Sequence, residues 1–141
     1  MDETQRPTQQ TAETFFEKWS KNPDLAFSET LREGSDIFDW ILTRNGFSSP
    51  QQLQIHLQSR KRILDAGCGN GRVTALLDRY ADAGAQIVGI DLVAHEVAAK
   101  NLDYSPRIRI HQADLLGDLS SLGEFDFIYC QEVLHHTRCL L

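Results

Sequence analysis

Three glycines at alternate positions, Gly67, Gly69 and Gly71, follow the apolar run Ile63-Leu64-Asp65-Ala66 and precede a helical pattern from Val73 to Tyr80. Glycine reaches left-handed backbone and carries no side chain, so such a turn bends sharply and lets a ligand approach the main chain. The helix after it aims free N–H groups back at the turn. A strand, a glycine turn and a helix in that order hold a nucleotide-like cofactor. The spacing here is G-x-G-x-G, not the G-x-G-x-x-G of the dinucleotide fingerprint. Arg72-Val73 stands where a phosphate loop needs Lys-Ser or Lys-Thr. No Lys or Arg lies inside the turn to meet a pyrophosphate, and Asp65 lies just before it. A carboxylate there repels phosphate and attracts a cation, which suits a ligand with a positive amino group and a positive sulfur.

Asp91 ends a second apolar run, Gln86 to Ile90, about 20 residues past the turn. A carboxylate at that place accepts hydrogen bonds from ribose hydroxyls in dinucleotide and adenosyl sites alike. Its plainer role is to start the helix that follows, because Asp is favoured as an N-cap. Cys68, Cys130, His135 and His136 form no C-x-x-C or H-x₃₋₅-H pair, so no metal site is expected. The same two cysteines fit as small apolar fillers.

The elements that must position these residues alternate. Strands are expected over 62–66, 86–90, 107–111 and 125–130, with helices over 71–81 and 93–102 and an irregular link at 115–124. Each strand is a short, mostly apolar run, as when both faces of a sheet are covered. The fold class is α/β, an open parallel Rossmann-like sheet with an N-terminal helical segment. In that segment residues 1 to 10 read as a polar tail. Thr11 to Lys21 reads as a helix whose Phe15, Phe16 and Trp19 share one face, as a lid or as core, and Pro23 stops it. Ser35 caps a second helix carrying Ile37, Phe38, Ile41 and Leu42, which Gly46 ends. Ser49-Pro50-Gln51-Gln52 starts a third, with Ser as N-cap, Pro at N1 and Gln at N3, followed by Leu53, Ile55 and Leu57. The expected division is residues 1–58 as the helical segment and 59–141 as the cofactor-binding half.

Asp65-Ala66-Gly67-Cys68-Gly69-Asn70-Gly71-Arg72 resembles the first motif of class I S-adenosylmethionine-dependent methyltransferases. Gln86 to Asp91 resembles the second strand of that family, Ile108 to Asp114 the third with its Gln-Ala-Asp ending, and Phe125 to His136 the fourth with its following loop. The resemblance covers about residues 60 to 137 and implies the strand order 3-2-1-4. It implies that Asp65, with the main chain of Ala66, Gly67, Cys68, Gly69 and Gly71, surrounds the methionine end of the cofactor. Asp91 with Leu92 would meet the ribose, while Asp114 and the Leu115 N–H would meet adenine. The main-chain carbonyls of Cys130 and Gln131 would help to hold the amino group. His136 would lie on the acceptor side, as a general base or as a capping residue at a helix start. Members of the family continue past this segment with a further helix and strands. The end at Leu141 therefore leads to the expectation of a fragment or one half of a split protein, with the 125–130 strand left as an apolar edge for an oligomer or a second chain.

The expected activity is methyl transfer from S-adenosylmethionine to a small-molecule acceptor. The alternatives are a non-catalytic adenosylmethionine-binding fragment or partner subunit and, with less support, an NAD-dependent Rossmann enzyme. The chain has 141 residues, with 20 Asp and Glu against 14 Lys and Arg, a net charge of −6. That balance argues against a nucleic-acid partner, which needs a basic face. No apolar run approaches the roughly 20 residues of a membrane span. Three cysteines in no framework spacing point to a reducing compartment, read as the cytoplasm.

Overall fold

The computed structural model describes Glu17, Lys18 and residues 21–131. Phe15, Phe16 and Trp19, most of the expected first helix, and His135, His136 and Cys139 lie outside the described residues.

Among the described residues, helices α1 (Phe27–Leu31), α2 (Asp36–Arg44) and α3 (Pro50–Leu57) precede the sheet. Ser35 caps α2 as expected, its Oγ accepting from the Phe38 N–H at 3.1 Å. Phe38, Ile41 and Leu42 form its buried stripe, and Gly46 leaves it at φ 81°, the left-handed exit that suits glycine. Ser49 Oγ accepts from the Gln52 N–H at 3.2 Å. The Gln52 side chain reaches back one residue further than a capping box requires, to the Ser48 N–H at 2.8 Å. Helix α1 was not expected, and its five residues carry no side-chain cap.

The rest alternates: β1 (Arg62–Ala66), α4 (Arg72–Tyr80), β2 (Gln86–Asp91), α5 (His95–Asn101), β3 (Ile108–Gln112), a 3₁₀ turn (Ser120–Leu122) and β4 (Phe127–Tyr129). The strands form one parallel sheet in the order β3-β2-β1-β4, the order that the motif resemblance implies. Strand β4 is shorter than expected because only Phe127, Ile128 and Tyr129 find partners in β1. Helix α5 is shorter than the expected 93–102, since Asp91 takes up the N–H groups of Val93 and Ala94 before the helix begins.

Strand alternation sorts side chains between two layers. Ile63, Ile87 and Ile108 enter the main core with Phe38, Leu53, Leu57, Leu76 and Leu77 from α2, α3 and α4. Leu64, Ala66, Val88 and Ile90 face the other way, against Leu115, Leu119, Leu122 and Phe125 of the irregular 113–125 segment. The second layer covers only the middle strands, so Arg109 and His111 of β3 and Ile128 of β4 are exposed. The registers pair Ala66 with Ile90, Asp91 with Gln112 and Asp65 with Tyr129. All four strand tips therefore lie along one rim.

Candidate active site at the carboxyl rim

Gly67, Gly69 and Gly71 have φ of 79°, 56° and 90°, so the turn uses glycine's left-handed freedom three times. The Gly67 and Cys68 N–H groups both donate to the Ile90 carbonyl at 2.8 Å, which ties the turn to the tip of β2. A Cβ on Gly71 would lie 2.6 Å from Leu102 Cδ1, so this glycine also lets the start of α4 approach the end of α5.

Asp65 shares the face of Ile63 and points under α4. It is 2 % exposed, and Oδ2 accepts from the Thr74 hydroxyl at 2.7 Å. The N–H groups of Gly67, Cys68, Gly69 and Gly71 all go to other acceptors. Burial is the main cause that pushes its carboxyl up to about 6; the Thr74 bond opposes this, Asp91 adds to it and Arg72 opposes it. A buried carboxyl whose ionisation is opposed by burial and, to a lesser degree, by a second carboxylate is a place where a cation stabilises the charged form.

Asp91 bridges the rim. Oδ2 accepts from the Gly69 N–H at 3.0 Å, and Oδ1 accepts from the N–H groups of Val93 (3.0 Å) and Ala94 (2.8 Å). It thus serves the helix start anticipated as its plainer role. A carboxylate has about four acceptor positions, so Oδ2 retains room for a hydroxyl donor. Leu92 beside it is exposed, and its carbonyl accepts from Gln112 Nε2 at 3.1 Å.

Asp114 lies two residues past β3, exposed, with Oδ1 accepting from the Leu116 N–H at 2.9 Å. That is a turn role, and it uses only one of the two carboxylate oxygens. Leu115 packs into the second layer. Ala66 is buried at the tip of β1. Cys130 and Gln131 follow β4 directly; the Gln131 side chain accepts from Asn45 Nδ2 at 2.9 Å and from the Tyr129 hydroxyl. Burial, then Asp65, pushes up the thiols of Cys68 and Cys130. Neither is a poised nucleophile, and both are free of disulfides. Among the described residues no group of three His, Cys, Asp or Glu could hold a metal ion.

Two residues that sequence reasoning passed over organise this rim. Thr74 supplies the hydroxyl that bonds Asp65. Asn70 is fully buried inside the glycine turn, with Nδ2 donating to the carbonyls of Pro23 (3.2 Å) and Leu25 (3.0 Å) and Oδ1 accepting from the Arg72 N–H at 3.2 Å. A carboxamide between two glycines was a legible signal; its distant partners were not.

The rim is rich in acceptors and holds two carboxylates near one turn, with the Arg72 guanidinium turned to the Thr30 hydroxyl at 3.0 Å. That set fits a cationic, hydroxyl-bearing ligand such as S-adenosylmethionine better than a pyrophosphate. A family model described as a methyltransferase domain matches residues 63–139. The chain is 35 % identical over 81 residues to a ubiquinone biosynthesis O-methyltransferase of Aromatoleum aromaticum, covering 55 % of this chain and 33 % of that protein. It is 28 % identical over 112 residues to a magnesium-protoporphyrin O-methyltransferase of Rhodobacter capsulatus, covering 78 % and 45 %. Among solved structures, the N-terminal domain of EvdMO1 with SAH bound superposes with a TM-score of 0.49 at 23 % identity, over 57 % of this chain and 35 % of that one. The chain spans less than half the length of these curated relatives. By the family match over more than half its length, the chain belongs to the class I S-adenosylmethionine-dependent methyltransferases.

Proposed function

We propose that this chain serves methyl transfer from S-adenosylmethionine to the oxygen of a small-molecule acceptor. The observation that carries the reading is the pair of carboxylates, Asp65 and Asp91, flanking the left-handed glycine turn at adjacent strand tips. The names of the two O-methyltransferase relatives support a hydroxyl acceptor. In this reading Asp65 faces the cofactor's amino group, with the main chain of Ala66, Gly67, Cys68, Gly69 and Gly71 around it. Asp91 and Leu92 lie at the ribose, and Asp114 with the Leu115 N–H at adenine. The carbonyls of Cys130 and Gln131 complete the amino-group site. The bound cofactor supplies an electrophilic methyl on a sulfonium. The chain's own residues then orient donor and acceptor and keep water away, which can lower the barrier by about 7–11 kcal/mol. His136 is the proposed base for the acceptor's hydroxyl proton. A cytoplasmic location is in keeping with the free thiols; no described helix is long and apolar enough to cross a membrane.

A second reading, a cofactor-binding subunit that needs another chain, draws on β4. Among the described residues this strand pairs only with β1, and Ile128 is 60 % exposed. Titration calorimetry with S-adenosylmethionine and S-adenosylhomocysteine, beside a methyl-transfer assay on the 141-residue chain, separates the two: binding with turnover supports the first, binding without turnover the second. Asp91→Ala is expected to weaken cofactor binding about 10- to 150-fold, the range of a charge-assisted hydrogen bond. Asp91→Asn keeps an acceptor oxygen for the Val93 and Ala94 N–H groups and should weaken it as well. Undiminished affinity in a folded Asp91→Asn protein removes Asp91 from the site.

A further inference from the structure

The glycine turn is fastened to a segment that lies more than forty residues earlier in the chain. Asn70 Nδ2 donates to the carbonyls of Pro23 and Leu25 at 3.2 and 3.0 Å. Asn101 Nδ2, at the end of α5, donates to the same Pro23 carbonyl at 2.7 Å and to the Asn70 carbonyl at 3.0 Å. With its oxygen accepting from the Arg72 N–H at 3.2 Å, the Asn70 carboxamide spends both donors and one of its two acceptor positions inside the protein. It is fully buried, so its part is not direct contact with a ligand through that side chain.

What it holds is a strained bend. Ala26 has φ 58° and ψ 13°, left-handed backbone that disfavours a residue with a Cβ and persists only where surroundings over-determine it. On one side stand the two Asn70 bonds. On the other, the Ala26 carbonyl accepts from the Thr30 N–H at 3.0 Å and the Thr30 hydroxyl at 2.7 Å. Thr30 Oγ1 in turn accepts from Arg72 Nη1 at 3.0 Å. Asn70 and Arg72, the residues on either side of Gly71, therefore grip both ends of the bend.

We infer that Asn70 is a positioning residue whose carboxamide, together with Asn101 bonded to the same Pro23 carbonyl and to the Asn70 carbonyl, makes the Pro23–Thr30 segment and the Gly69–Gly71 turn hold each other in place. Filling the turn with cofactor then tightens the segment, and seating the segment tightens the cofactor by the same factor, as linkage requires. This rests on the S-adenosylmethionine reading of the turn. The test is hydrogen–deuterium exchange over residues 24–31 of the full chain, with and without S-adenosylmethionine, beside calorimetry, in the wild type, Asn70→Ala and Asn101→Ala. Asn101→Ala lies at the end of a helix and keeps the test open should the buried Asn70→Ala fail to fold. The expected result is slower exchange over 24–31 when the wild type binds cofactor. Each folded variant should exchange faster there without ligand, lose the ligand-dependent slowing, and bind S-adenosylmethionine about 5- to 10-fold more weakly, the scale of one neutral hydrogen bond. A bond that only stabilises the fold would not move the ligand-dependent slowing. Wild-type binding that leaves 24–31 exchange unchanged, or equal affinity in Asn101→Ala, overturns the coupling alone. A wild type that takes up no S-adenosylmethionine overturns the reading beneath it instead.

Discussion

Asp65 carries the electrostatic tension of the site. Its folded carboxyl is raised from 3.8 to about 6, mainly by burial. A raised carboxyl favours the neutral form, so ionising Asp65 opposes folding. That cost is absent below about pH 4, grows between pH 4 and 6 and is constant above. A shift of about two units corresponds to about 3 kcal/mol. Asp65→Asn should therefore be more stable than the wild type in urea at pH 7.5, by up to about 3 kcal/mol, with the gain vanishing near pH 4. A gain of the same size at both pH values would show that ionisation is not its cause. If Asp65 meets the cofactor's ammonium, wild-type affinity should fall towards tenfold per unit as pH drops below 6, whereas the Asn variant should bind weakly with no such limb. Calorimetry across pH 5 to 7.5 reads both. Stability withheld at one buried carboxylate is the pattern of a site kept for function rather than for folding.

At the scale of elements, the glycine turn joins two tasks that the sequence displayed unequally. The alternate glycines after an apolar run announced a sharp strand-to-helix turn. Gly71 also sets the contact between α4 and α5, because a Cβ there would fall 2.6 Å from Leu102 Cδ1. Gly71→Ala meets both a left-handed φ of 90° and that side chain. Leu102 can yield at its tip, so most of the expected loss of about 1–3 kcal/mol comes from the backbone. Urea unfolding checks it, and an unchanged midpoint would mean that the turn relaxes freely. The caps at Ser35 and Ser49 were legible because each follows from a local pattern of apolar spacing, cap residue and glycine, whereas the strand order was legible only through the resemblance of the motifs. Helix α1 was not: Phe27–Leu31 is five residues long, follows the left-handed Ala26, and has no side-chain cap. It is held by bonds such as Arg79 Nη1 to the Leu31 carbonyl at 2.6 Å, 48 residues away. The Thr74–Asp65 and Asn70–Pro23 bonds were hidden for the same reason, since pairing across the fold leaves no mark in local spacing.

For the molecule as a whole, the sheet manages its two edges differently. Strand β3 sets Arg109 and His111 on its uncovered face, polar groups that discourage edge-to-edge pairing. Strand β4 sets Ile128 there, 60 % exposed, and among the described residues it pairs on one side only. The irregular 113–125 segment buries Val88 and Ile90 at the centre but does not extend over Ile128. An apolar residue on an edge strand with open N–H and C=O groups is a template for another strand. The 141-residue chain should therefore self-associate with rising concentration, and Ile128→Lys should reduce that association by placing a charge in the middle of β4. Light scattering at several concentrations reads the effect. Because Ile128 points away from the layer that holds Asp65 and Thr74, the substitution should leave the urea midpoint within about 0.5 kcal/mol of the wild type, as for an exposed position. A large loss of stability would mean that Ile128 is buried in solution and that the edge is already covered. Reduced association with an intact fold would identify β4 as the surface through which copies of this chain meet.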